Sequence, residues 1–574
     1  MERRGQAEPD AGRPAPYSIA IRGRRVVFTD RVCWSILGVA MAVAAALVLW
    51  LNRGGTYYID ELSLFYRSPA LGGLADALHP QNGHLIAIPR LEFKLILELL
   101  GSGYLPFRLL ALAALLATVG FFFALVKSQV GALPALAPAV VLLFFGSDSQ
   151  HIVIPVGFMI LFSTATGLGA LLAAMRATRG WDLVACGLLV VSVLTFGAAL
   201  VYIVAVAVAI ALRDDRMRRA WIPAIPVALY AAWWIWALDR PSSGDEQAQL
   251  SNLLLVPSYV FESLAAVLAA LAGLNYDFSE LNPRVRDAAA GVPLAVAAIA
   301  ALAVRLARGR VPVLLWAGLG IALAYWTLGA LVASELRPPG LFRYLLVGAI
   351  GVVLVAAGGV RGVRFSRLGL AILFAVAAVS LATNLALLRD GAAAYRAHSA
   401  GQRAEFTAFE LARGHIDAVY DEGVLRPELA PDPLRAGAYF AAADRYGSPA
   451  FSPAELPRLP EATRRLVDQN LARFLGLALV PDPARARRGC LEVEAAAPGA
   501  TIGFELPPEG AALAADVDEP ATLRIGAVAP TASAEVGAVE PGRRALLELP
   551  ADGPGVTWRA AVDGARAVTV CRLD

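Results

Sequence analysis

The sequence predicts a polytopic α-helical membrane protein of about eleven spans, followed by a C-terminal extracytoplasmic region of helices and a β-sandwich. Three observations predict it. With 58% hydrophobic and 17% charged residues over 574 positions, the chain is too apolar for a soluble protein of that length. From residue 32 to 388 apolar runs recur between short polar breaks, whereas charges return at ordinary density from Arg389 onward. The net charge of +3 is also unevenly divided, because residues 389–574 hold 20 Arg against 26 Asp and Glu, leaving the preceding part at +9. An Arg excess set in the breaks between apolar runs is a positive-inside signal and does not point to a nucleic-acid partner.

Residues 1–31 form a basic tail with Arg3, Arg4, Arg13, Arg22, Arg24, Arg25 and Arg31, which places it in the cytoplasm. The run 32–51 has the ~20 residues a helix needs to cross a bilayer. No small-residue cleavage site follows it, so it is expected to stay as a helix and not to be removed as a signal peptide. Residues 52–104 then make a large first outer loop, whose amphipathic stretch up to Leu100 suggests helices lying in the interface. Further spans are expected at 105–126, 133–146, 152–175, 220–238, 291–306, 311–333, 343–360 and 368–388. As one helix, 183–212 would be roughly 45 Å long, and Arg clusters flank it on both sides, so it reads as two short helices meeting near Gly197. The result is a transmembrane domain over 32–388, an extracytoplasmic helical region over 389–488 and a small β-sandwich over 489–574. Alternating runs at 501–506, 522–525, 545–549 and 568–571, separated by Pro, Gly and Asp, predict about eight strands there. The odd span count makes this a multi-pass plasma-membrane protein with its N-terminus cytoplasmic and its C-terminal domain extracytoplasmic.

On that topology all five histidines fall outside, together with the acidic pair Asp60-Glu61 and Asp148. The first outer loop carries Asp60-Glu61, then His79-Pro80-Gln81-Asn82-Gly83-His84-Leu85, then Arg90. The next holds Asp148 and His151, three apart, which could bind a divalent cation such as Mg or Mn. The last holds Arg337 and, at the mouth of a helix, Arg343-Tyr344-Leu345. Carboxylates, imidazoles and guanidinium groups on one face suit general-base chemistry on a hydroxyl beside an anionic phosphate. The sequence contains no Walker loop, serine nucleophile elbow or paired CxxC motif.

In Asp60-Glu61, His79-Pro80 and Arg343-Tyr344-Leu345 the chain resembles the GT-C superfamily of membrane glycosyltransferases, particularly its protein mannosyltransferase-like and lipopolysaccharide-core-like branches. The Asn82-Gly83-His84-Leu85 element is similar to one in actinobacterial multi-span membrane proteins. Gln81 stands where the superfamily usually has a second Pro. The resemblance implies a GT-C-like fold and an inverting hexosyl- or pentosyltransferase. Its donor would be a sugar on a polyprenyl phosphate and its acceptor a lipid or polysaccharide of the cell envelope. It implies Asp60 as general base with Glu61 beside it, Arg343, Arg337 and Tyr344 at the donor phosphate, and His79, Asn82, His84 and Arg90 toward the acceptor or substrate. The competing readings are a non-catalytic envelope scaffold and a lipid-linked-saccharide transporter or flippase.

The cysteines make a separate expectation. Cys33 and Cys186 fall in apolar spans, while Cys490 and Cys571 open the first and close the last strand of the sandwich. An extracytoplasmic location permits oxidation, so these two are expected to form a disulfide.

Overall fold

The structure, a computed structural model, describes residues 17–21, 24–58, 60–240, 249–274, 289–309, 311–334, 337–415, 436–482, 489–497, 499–550 and 556–573. Arg3, Arg4, Arg13 and Arg22 of the basic tail lie outside the described residues. The chain divides into two compact units. Met1–Arg53, Leu71–Ile96 and Tyr104–Tyr395 form the first, and Gly54–Ala70, Leu97–Gly103 and Arg396–Asp574 the second.

The first unit is helical. A hairpin of β1 (Tyr17–Ile21) and β2 (Arg24–Phe28), within the stretch expected to be a basic tail, leads into α1 (Asp30–Leu51). Thr29 caps α1, its hydroxyl accepting the Val32 N–H at 3.3 Å. Beyond α2 (Asp60–Arg67), which belongs to the second unit, come α3 (Leu74–Leu78), α4 (Ala87–Leu100) and α5 (Leu105–Val130). Next are α6 (Ala132–Leu143), a tight turn at Gly146–Asp148, α7 (Ser149–Val153) and α8 (Phe158–Arg176). The 183–212 segment is indeed two helices, α9 (Arg179–Thr195) and α10 (Ala199–Ala211). The helix stops because Phe196 is extended, and Gly197 lets the break pack closely on His84, since a Cβ there would sit 2.8 Å from its Nδ1.

The bundle continues with α11 (Arg216–Arg219), α12 (Trp221–Ala237), α13 (Val256–Ala272), α14 (Val292–Ala307), α15 (Val313–Leu331), α16 (Leu345–Gly359) and α17 (Arg367–Leu411). Small residues let α15 and α16 touch backbone to backbone: a Cβ on Gly318 would lie 2.8 Å from Val355 N, and one on Gly358 2.7 Å from Leu315 N. Among the described residues nine helices are long and apolar enough to cross a membrane, and α10 and α12 are apolar but shorter.

Contacts sort the helix termini of this unit into two ends. At one end Lys127 of α5 pairs with Asp30 of α1 at 2.8 Å, and Arg305 of α14 donates to Gly359 O at 3.0 Å. Arg219 grips Asp182 and Ala174 O there, and the N–H of Phe365 donates to Tyr17 Oη. At the other end Asn52 reaches Val153 O, Ser147 meets Asn384, and Trp233 Nε1 donates to Leu78 O at 2.8 Å.

The helix α13, absent from the expected spans, behaves differently from its neighbours. The turn before it is tied to the end of α15, with Gln249 N donating to Leu331 O at 3.0 Å. Its last residues are tied to α17 near Asn384, whose amide donates to Ala270 O at 3.2 Å. Between these, Ala265 abuts Gly291 at the start of α14, and Val267 abuts Gly348 at the start of α16. Both ends of α13 therefore contact the same end of the bundle, and the helix lies across it over roughly 25 Å at 1.5 Å per residue.

The second unit joins α2 to the C-terminal part of the chain. Tyr57 Oη donates to Ser102 O at 2.9 Å, the Tyr58 ring packs on His398 at 4.8 Å, and Thr56 N donates to Ser399 Oγ at 3.3 Å. The expected span 368–388 is thus only the first half of α17, which runs on for 45 residues in all. After it come α18 (Ala436–Tyr446) and α19 (Glu461–Phe474).

The sandwich follows as β3 (Val480–Pro481), β4 (Cys490–Glu494), β5 (Ile502–Glu505), β6 (Gly510–Asp516), β7 (Ala521–Gly526), β8 (Ala534–Val539), β9 (Arg544–Glu548), β10 (Arg559–Val562) and β11 (Ala567–Arg572). One sheet is ordered β5-β10-β7-β8 and the other β3-β9-β6-β11-β4, all pairs antiparallel. Cys490 and Cys571 face each other in the β4–β11 register with Cα atoms 3.9 Å apart and are joined in a disulfide. Asp468 of α19 fastens the helix to this domain by accepting the N–H groups of Ala527, Val528 and Ala529 at 2.8–2.9 Å. Burial pushes its carboxyl above the usual range, and those three donors pull it back.

Candidate functional site

In the first unit two polar constellations occur at the same end of the bundle, and they differ in what their side chains touch. One is built by the turn Gly146–Asp148, α7 and the turn Phe342–Tyr344, three short pieces packed on one another. The 146–148 turn is held against α17 because a Cβ on Gly146 would lie 1.9 Å from Asn384 O, and Ser147 gives both its N–H and its hydroxyl to Asn384 Oδ1. This fixes Asp148, which is fully buried. Its carboxylate contacts His151 Nδ1 at 2.8–2.9 Å and accepts the Leu346 N–H at 3.3 Å at the start of α16. With Nδ1 carrying a proton toward Asp148, His151 keeps Nε2 as its second polar atom.

Opposite them, Arg343 and Tyr344 are half-buried, the guanidinium 5.6 Å from the Tyr344 ring centroid. Arg343 Nε is buried with no hydrogen-bond partner among the described residues. The turn is braced from α15 by Tyr325, whose hydroxyl donates to Arg343 O at 3.3 Å and whose ring meets Tyr344 edge-on at 6.0 Å. Tyr259 of α13 donates to Arg337 O at 3.4 Å and lies within electrostatic reach of Arg343, Arg337 and Tyr344. Tyr325, Tyr259 and the Leu346 N–H carry no sequence signal, since a lone Tyr in an apolar helix is usually packing.

The second constellation is the 76–90 loop. Gln81 and His84 exchange backbone hydrogen bonds at 3.1 and 2.8 Å, and Asn82 and Gly83 both have positive φ, 48° and 71°. That is the geometry of a type I′ hairpin turn, for which Asn-Gly is the preferred pair. Arg90, 6% exposed, donates to the carbonyls of Asp76, Ala77, His79 and Pro80 and to Gln81 Oε1. His79 Nδ1 lies 3.0 Å from Pro80 O. The His84 ring packs on Phe196 at 4.5 Å, in the break between α9 and α10. Next to this loop, burial alone raises the carboxyl of Glu92 to about 7.

Asp60 and Glu61 belong to the second unit. Asp60 is the first residue of α2 and half-buried. Glu61 is fully buried and caps the helix start, its Oε2 accepting the Tyr58 N–H at 2.8 Å. Burial, and after it the Glu61 carboxylate, push the Tyr57 phenol well above its usual range.

Among the described residues no three His, Cys, Asp or Glu side chains gather as metal ligands. Asp148 and His151 are bonded to each other, so the pair fits a hydrogen-bonded dyad better than a cation centre. Compared with known proteins, the chain matches no protein-family model and no curated sequence.

Proposed function

We propose that the protein is a membrane glycosyltransferase that moves a sugar from a polyprenyl-phosphate donor to a cell-envelope acceptor at the outer face of the membrane. The observation that carries the reading is the grouping of Asp148, His151, Arg343 and Tyr344 by separate chain segments at one end of a largely apolar bundle. Ionisable groups are costly there unless they have partners or a task.

In this reading the acceptor O–H gives its proton to Asp60 as the acceptor oxygen bonds to the anomeric carbon. The bond from that carbon to the phosphate oxygen breaks, its electron pair leaves with the polyprenyl phosphate, and the configuration inverts. Arg343 supports the departing phosphate, because charge grows on it in the transition state and a guanidinium offers a planar fork of donors. Glu61 accepts the Tyr58 N–H at the start of α2, and Asp60 is the base that the resemblance implies.

Asp60→Asn keeps size and removes basicity, so it is expected to lower transfer from a synthetic polyprenyl-phosphate sugar by roughly 10²-fold or more with insertion unchanged. Turnover near that of the unaltered protein would exclude Asp60 as the base.

The topology belongs to the same proposal. In this reading eleven of the described helices cross the membrane and α13, lying across one end, rests in the outer interface, so the count stays odd. The Cys490–Cys571 disulfide supports an oxidising side for the sandwich. A reporter fused after Asp574 that works only in the cytoplasm should be silent, and a signal from it would reverse the orientation.

A further inference from the structure

On the outer face of the β5-β10-β7-β8 sheet, α19 and the 530–533 loop wall a groove of about 770 Å³, within the ~300–1,000 Å³ usual for small-ligand clefts. Its floor is low because the register sets Gly503, Ala561 and Arg524 side by side across three strands. Two of these have little or no side chain, so a flat ligand can lie against the sheet there.

The walls are polar on every side. Arg465 and Gln469 come from α19, Arg524 and Arg559 from the two central strands, Glu535 from β8 and Glu505 from the edge strand β5. The charges are locally balanced. Arg465 pairs with Glu461 at 2.6 Å, Arg524 pairs with Asp563, and Arg559 donates to Ala529 O at 2.7 Å. Ser533, also lining the groove, has its hydroxyl oxygen buried with no partner among the described residues.

We infer that this groove binds a neutral saccharide chain. Groups that only donate (guanidinium) alternate with groups that only accept (carboxylate), and amide and hydroxyl groups stand among them. A ligand whose every hydroxyl both donates and accepts satisfies such a wall without adding charge. A phosphate-rich ligand would instead require an unbalanced cationic surface. The inference goes beyond sugar transfer and stands without it, since binding here is read with no donor present.

The test uses the full-length protein in nanodiscs and fluorescent tetrasaccharides of glucose, mannose, galactose and arabinose, with a sulfated tetrasaccharide as the charged control. At least one neutral probe is expected to bind with a Kd of roughly 1 mM or tighter. Gln469→Ala and Glu535→Ala, both at exposed positions, should each weaken it by about 10-fold with an unchanged melting temperature. Arg559→Ala should weaken it further, and the two milder variants guard against its loosening the 529–530 loop. No neutral probe bound at about ten times that concentration, binding indifferent to both mild variants, or preference for the sulfated probe would each overturn the inference.

Discussion

The 76–90 loop and the 146–151/342–346 cluster share one end of the bundle and a similar stock of polar residues, yet they use them in opposite ways. In the loop the polar groups hold the chain in shape: Arg90 holds four carbonyls, Asn82 makes a turn and His84 packs into a helix break. In the cluster the polar side chains meet one another and are braced from outside, by Asn384 behind Asp148 and Tyr325 behind Arg343. In the proposed reading, residues picked out by a motif therefore divide into those that build a site and those that act in it. What each side chain bonds to separates the two, and its position in the motif does not.

The sharpest way to break this comparison is a pair of arginine truncations. Arg343→Ala should leave the melting temperature nearly unchanged and lower transfer from a polyprenyl-phosphate donor by ~10²–10³-fold, the usual cost of removing one donor from a developing anion. Arg90→Ala should do the reverse, destabilising by about 3 kcal/mol or more because several buried carbonyls lose their donor. Thermal melts and donor turnover on both variants decide the matter. Equal losses of activity at equal stability would place Arg90 among the acting residues.

The same contrast shows what was legible in the sequence. The helical bundle, the break near Gly197 and the C-terminal strands are readable because apolar length, flanking Arg and alternation are local signals. The helix α13 escaped, since it is set against the ends of three other helices and the middle of α17, and only contacts reveal that it lies across them. The placement of α2 with the C-terminal part of the chain was hidden for a similar reason, as it depends on Thr56, Tyr58 and Phe65 meeting residues hundreds of positions away. Of the site, Asp148, His151 and Arg343 could be named from charge alone. Their supports Asn384 and Tyr325 could not, because a single polar residue in an apolar helix looks the same whether it packs or positions.

A smaller effect tests the loop's interior. Glu92 titrates near 7 because burial disfavours its charge, so the folded state holds the proton more tightly than the unfolded chain, whose Glu titrates at ~4.3. The stabilisation is complete below that lower value and is lost as pH rises through about 7. Glu92→Gln, which mimics the protonated form, should match the unaltered protein near pH 4 and melt higher at pH 8, by on the order of 1–3 kcal/mol. A variant that melts lower at pH 8 would mean that the carboxylate is paired when charged, and that this helix belongs with the acting residues.

The least disruptive probe is Asn82→Ala. The resemblance to GT-C enzymes assigns Asn82 to substrate, whereas the hairpin assigns it to a backbone with φ of 48°, where Ala is disfavoured by about 1–2 kcal/mol and Asn much less. If the turn is its whole task, Asn82→Ala should lose about that much stability and keep donor turnover within a few-fold. Asn82→Gly, which accepts the same φ, should then restore the melting temperature as well as the activity. A glycine variant that melts normally but transfers sugar at least tenfold more slowly would show that the amide touches substrate. The loop would then both build the site and act in it, and the division between the two regions would fail at the residue where backbone geometry explains it best.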